Sequence, residues 1–124
     1  TKERGYFESS NEIFNNAHIL IKNAVRSNMQ SVFTDCPHRE KLGWIEETHL
    51  NGPGLLYNWD MTQFYSKLMR DIADGQQPGG LVPNIVPEYV IFDGNLEMFR
   101  DSPEGGIAAI MVPWLYYRFY GDHS

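Results

Sequence analysis

The run Asp35-Cys36-Pro37-His38-Arg39-Glu40-Lys41-Leu42-Gly43-Trp44, followed at once by Ile45-Glu46-Glu47, gathers several acids, an arginine and an indole into one short stretch between two helical patterns. Crowded carboxyls favour their protonated forms, an arginine favours the ionised form of an acid beside it, and a tryptophan offers a flat apolar platform of the kind sugar rings stack on. Those residue types at that spacing suit proton transfer on a polar ring. A linker would have no use for them.

Helices must hold this stretch in place. Ser9 and Glu12 have the Ser-x-x-Glu spacing of a capping box, so a first helix is predicted from about Ser9 to Ser27. Its apolar stripe is Ile13, Phe14, Ala17, Leu20, Ile21, Ala24 and Val25. A second is predicted to open near Pro53 and to carry Leu56, Trp59, Tyr65, Leu68, Met69 and Ile72 before Gly75 closes it. The third starts at Asp101-Ser102-Pro103-Glu104 and carries Ile107, Ile110, Met111, Trp114 and Leu115 toward Gly121, with a kink at Pro113. Between the second and third lies a long non-helical segment, Gly75 to Arg100. Its Leu81-Val82 and Tyr89-Val90-Ile91-Phe92 pieces could pair as short strands, although its prolines oppose a long ladder. Loops of this length that are rich in apolar residues fold over something. Helices with stripes this broad need more partner surface than they supply to one another, so the 124 residues read as a piece of a larger all-α domain.

Composition narrows the classes. A net charge of -6 argues against nucleic acid or an anionic membrane as partner. No apolar run approaches the roughly 20 residues of a membrane span, and the first residues lack the apolar core of a signal peptide. The single cysteine, Cys36, excludes an internal disulfide framework and reads as a small buried hydrophobe. His38 and His49 with Asp35 and Glu46 match no familiar ligand spacing, so neither metal nor cofactor is expected.

The wording of the chain is familiar. Phe7 through Asn11, Ser27-Asn28, Thr34 through Trp44, Tyr57-Asn58-Trp59-Asp60, Asp71 through Gln76, Val112-Pro113-Trp114 and Tyr120-Gly121-Asp122 together resemble the catalytic domain of glycoside hydrolase family 78, the α-L-rhamnosidases. The resemblance implies an (α/α)6 barrel of the six-hairpin type. This chain would be an incomplete portion of it, residues 1–124, with three main helices and long functional loops. It further implies inverting hydrolysis of terminal α-L-rhamnosyl residues from a rhamnose-containing glycan or glycoside, with Glu40 as general acid. Asp35, Arg39, Trp44 and Glu47 fall where the family binds the sugar or shapes the site. The general base would come from the rest of the parent polypeptide, and this piece alone would be inactive. A periplasmic or secreted location is suggested by the resemblance only.

The chemistry of the loop supports the acid role. A general acid must keep its proton near neutral pH, and Asp35 and Glu47 would repel the ionised form of Glu40 while Trp44 would shield it from water. Arg39 is expected to point at Asp35 or Glu47 instead, keeping those ionised to bind hydroxyls. Blander readings stand beside these: Glu40 as a solvated loop acid, Trp44 as core, Arg39 as a structural partner of Asp35, Glu46 in the place of Glu47, and Trp59 as core rather than pocket. Departures from the family wording at Phe33, His38 and Glu46-Glu47 keep two alternatives open. One is a polysaccharide lyase that eliminates rhamnose from glucuronate, using Arg39 with His38 or His49. The other is a non-catalytic carbohydrate-binding relative.

Overall fold

In the computed structural model, which describes residues 2–121, six α-helices and one 3-10 turn surround a core built mainly from the central part of the chain. The helices are α1 Glu12–Asn28, α2 Glu46–Leu50, α3 Gly52–Asn58, α4 Thr62–Gly75, α5 Pro103–Gly106 and α6 Ala108–Tyr120, with the 3-10 turn at Gly94–Phe99. Among the described residues there are isolated β-bridges but no strands. The pieces at 81–82 and 89–92 do not pair as the sequence allowed, and Ile85 bridges to Trp44 instead. Asp122 of the family wording lies outside the described residues.

Packing of α4 on α6 forms the heart of the core. Tyr65, Leu68 and Ile72 of α4 meet Ala108, Val112, Leu115 and Tyr116 of α6, and Leu55 and Leu56 of α3, Trp59, Met61, Ile45 and Val86 complete it. Trp59 is 3 % exposed, so it belongs to the core. The Tyr65 hydroxyl donates to the Thr48 carbonyl at 2.9 Å, giving a buried phenol its partner and tying α4 to α2.

Several expected boundaries shift, each for a local reason. Helix α1 starts at Glu12 because Asn11 caps it, its side chain accepting from the Ile13 amide, while Ser9 bonds Asn15. The predicted second helix is split into α3 and α4. Trp59 adopts an extended conformation and bridges to Glu3, Asp60 donates from its amide to the Lys2 carbonyl, and the Asp60 carboxylate accepts from the Thr62 amide and hydroxyl to start α4. The third helix begins with the short α5, whose cap Ser102 accepts from the Gly105 amide, and then runs unbroken through Pro113, which sits on the exposed side. Gly121, with φ of 68°, closes α6 in the left-handed conformation glycine tolerates.

The stripes themselves are only partly buried. No residue of α1 is buried, and Ile13, Phe14, Leu20 and Ile21 are exposed, as are Ile107, Ile110 and Trp114 at the other end of the chain. The face α6 actually buries is Ala108, Val112, Leu115 and Tyr116. An apolar stripe finds its partner only if the chain supplies one, and here two faces stay bare.

Candidate functional site

The acid-rich stretch folds as a turn hung between the end of α1 and the start of α2. Asp35 organises it. Its amide donates to the Leu42 carbonyl at 3.0 Å and its carboxylate accepts from the Leu42 amide at 3.1 Å, closing the loop on itself. Burial pushes the Asp35 carboxyl upward, but hydrogen bonds from the Cys36 thiol, the Leu42 and Cys36 amides and the Glu40 carboxyl outweigh it and hold the group below its ordinary range. Asp35 is therefore held ionised.

Glu40 sits at the exposed crest. Its carboxylate accepts from the Trp44 indole N–H at 3.4 Å and from the Arg39 guanidinium at 2.7 Å, while its own amide donates to the Cys36 sulfur at 3.1 Å. Two expectations change here. Arg39 pairs with Glu40 rather than with Asp35 or Glu47: Asp35 turns inward to the Leu42 amide, and Glu47 turns to the Asn51 amide group at 2.9 Å. Trp44 holds Glu40 by its edge instead of covering it, because the indole stacks on Phe92, with centroids 5.6 Å apart and planes 8° from parallel. Cys36 is half-buried, and its sulfur serves the turn as acceptor and donor rather than as inert packing.

Glu47, on the first turn of α2, shares a cleft of about 260 Å³ with Asp35, Asn28, Thr34, Asn51 and the Ile21-Ala24-Val25 side of α1. Burial first, then the charge of Glu46, push its carboxyl above the ordinary range; Asn51 pulls the other way and Asp35 adds a smaller upward push. The sign of the consequence is fixed. An acid raised in the fold carries no penalty below its ordinary value of 4.5; the penalty builds as pH rises from there to its folded value and is constant above it. Glu47→Gln is expected to raise the melting temperature at pH 7 and to leave it unchanged below pH 4.5, as thermal melts at several pH values would read.

The structure thus brings Asp35, Arg39, Glu40 and Trp44 into one hydrogen-bonded turn and places Glu47 beside Asp35 across a cleft. Glu46 is the neighbour whose charge acts on Glu47. His49 lies away from the turn, its Nε2 donating to the Glu104 carbonyl at 2.9 Å, and His38 is exposed. No group of three or more His, Cys, Asp or Glu among the described residues is arranged to hold a metal ion.

Residues that the sequence did not single out hold the turn from behind. Tyr89 bonds the backbone on both sides of Leu42, Phe92 backs the indole, and the Asn84 carbonyl accepts from the Ile45 amide at 2.8 Å. All three lie in the 75–100 segment, whose apolar content and length were the one signal that it covers something. What it covers is the acid turn.

Comparison with known proteins shows what the chain resembles. The family model for the bacterial alpha-L-rhamnosidase 6 hairpin glycosidase domain matches residues 2–124. An alpha-L-rhamnosidase of Formosa agariphila is 36% identical over 128 residues, an alignment that takes in 99% of this chain and 13% of the relative. Among solved structures, that of the alpha-L-rhamnosidase from Dictyoglumus thermophilum superposes with a TM-score of 0.87 at 33% identity, covering 98% of this chain and 13% of that one. The Streptomyces avermitilis alpha-L-rhamnosidase complexed with L-rhamnose gives 0.83 at 31%, covering 98% and 12%. The chain spans about 13% of the length of the curated relatives it matches.

Proposed function

Because the chain belongs to the bacterial α-L-rhamnosidase six-hairpin glycosidase domain family, we propose that it carries the proton-donor half of an inverting rhamnosidase site, with Glu40 as general acid. The observation that carries this reading is the folded turn that sets Glu40 near Asp35, with Glu47 of α2 close by. The Glu40 carboxylate accepts from the Trp44 N–H and helps to lower the Asp35 carboxyl, and Asp35 and Glu47 line one cleft.

Each residue has a task. Glu40 donates its proton to the glycosidic oxygen as the bond from that oxygen to C1 breaks, and the bonding pair leaves with the aglycone. Water adds to C1 from the opposite face and gives its proton to a second carboxylate, which inverts the anomeric carbon. That carboxylate belongs to polypeptide beyond these 124 residues, as do the helices that cover the bare faces of α1 and α6. Asp35, held ionised, and Glu47 accept from the sugar hydroxyls, and the free edge of Trp44 borders the ring. Arg39 is 79 % exposed and free to swing, so its pairing with Glu40 yields when substrate hydroxyls draw it away. The Dictyoglumus and Streptomyces relatives and the L-rhamnose in the latter support rhamnose as the sugar.

Product stereochemistry tests the mechanism. Proton NMR of the first sugar released from an α-L-rhamnoside by the complete polypeptide should show the β anomer, which then equilibrates. An α-anomer burst, or an unsaturated uronate absorbing in the ultraviolet in place of free rhamnose, would overturn it.

A further inference from the structure

The turn from Glu40 to Trp44 carries a strained residue and a clamp. Lys41 has φ of 61°, alone in positive φ among the non-glycine described residues. Such a conformation persists only where surrounding bonds impose it. Asp35 supplies two of those bonds, to the amide and carbonyl of Leu42. The other two come from a residue distant in sequence: the Tyr89 hydroxyl accepts from the Gly43 amide at 2.7 Å and donates to the Lys41 carbonyl at 2.9 Å. One phenol oxygen therefore spans the turn, and its bonds fix the offset between Glu40 on one side and Trp44 on the other. Arg100, paired with Glu88 at 2.7 and 3.0 Å, anchors the segment just before Tyr89, and Asn84 joins the same segment to Arg100 and Ile45.

We propose that Tyr89 is a positioning residue for the general acid: its hydroxyl sets where the Glu40 carboxyl stands relative to the indole and hence to the scissile oxygen. This rests on the role given to Glu40 above. Tyr89 touches neither the sugar nor the reacting atoms in this scheme; it acts through the Lys41-Leu42-Gly43 backbone. Its consequence is chemical and not only structural, because proton donation matters in proportion to how poorly the aglycone leaves. An alkyl alcohol needs the proton as its bond breaks, whereas a dinitrophenol leaves largely without it.

The test is a leaving-group series of α-L-rhamnosides, alkyl through dinitrophenyl, on the complete polypeptide with Tyr89→Phe and, as benchmark, Glu40→Gln. Misplacing the acid by about an ångström predicts a loss of about 10- to 100-fold in kcat for the alkyl substrates with Tyr89→Phe and little change for dinitrophenyl, with KM nearly constant across the series. Incorporating 4-aminophenylalanine at position 89, which keeps a donor and an acceptor there, should restore much of the lost rate. A loss of equal size on every substrate, or none, overturns the proposal. Should the phenylalanine variant fail to fold, 3-fluorotyrosine, assayed below neutral pH where its hydroxyl stays protonated, keeps the donor and weakens the acceptor toward Gly43; it gives the same comparison, and a leaving-group-independent effect counts against Tyr89 there too. If Glu40→Gln itself shows no leaving-group selectivity, the acid assignment falls; if it does and the Tyr89 variants do not, only Tyr89 falls.

Discussion

Replacing Glu40 by glutamine in the complete polypeptide is expected to lower kcat for an alkyl α-L-rhamnoside by about 10²- to 10⁴-fold, the usual worth of a general acid, with little change in KM. Glutamine keeps the shape of the side chain and can still accept from the Trp44 indole N–H, so the turn is preserved and only the transferable proton is lost. Steady-state kinetics with the variant shown to fold by its melting temperature reads the effect. Unchanged turnover would remove Glu40 from the mechanism, and a large rise in KM with kcat intact would make it a binding residue instead.

The second large effect is structural and lies far from the acid in sequence. Gly105, buried in α5, has no room for a methyl group: a Cβ there would sit 1.9 Å from the Asn84 side-chain oxygen. Asn84 is almost fully buried and makes bonds in four directions. Its side chain accepts from the Ser102 hydroxyl at 3.1 Å and donates to the Phe99 carbonyl at 3.0 Å, and its backbone donates to the Arg100 carbonyl at 2.7 Å and accepts from the Ile45 amide. Displacing it strains the packing and orphans buried polar groups, so Gly105→Ala is expected to destabilise by about 3 kcal/mol. Gly106→Ala is the control, because a Cβ at that neighbour meets nothing within 4 Å. Urea midpoints of the two variants should differ widely; equal midpoints would contradict the close approach of α5 to Asn84.

What could be read from the sequence was what is local. The Ser102-Pro103 start and the Gly121 stop were legible because caps act within a few residues. The acid turn was legible because its residues are contiguous. The break at Trp59 was not, since the partner that pulls the chain straight is the segment at Lys2 and Glu3, far away in sequence. The start of α1 failed because two polar residues competed for the cap and Asn11, not Ser9, won it. The stripes showed which residues are apolar but not which face finds a partner in this chain, so Ile110 and Trp114 are exposed while Val112 and Leu115 are buried. Within the site, residue types were legible and pairings were not. Arg39 meets Glu40, its neighbour in sequence, while Asp35 turns inward to the Leu42 amide, and that arrangement is visible only once the loop is closed.

Hydrolysis of α-L-rhamnosyl fluoride by Glu40→Gln isolates the proton itself, since fluoride departs without protonation by a strong acid while the attacking water and its base are unaffected. If Glu40 supplies the proton, the variant cleaves the fluoride at a rate near that of the parent while its activity on alkyl rhamnosides is lost. Equal losses on fluoride and alkyl rhamnoside would contradict that role.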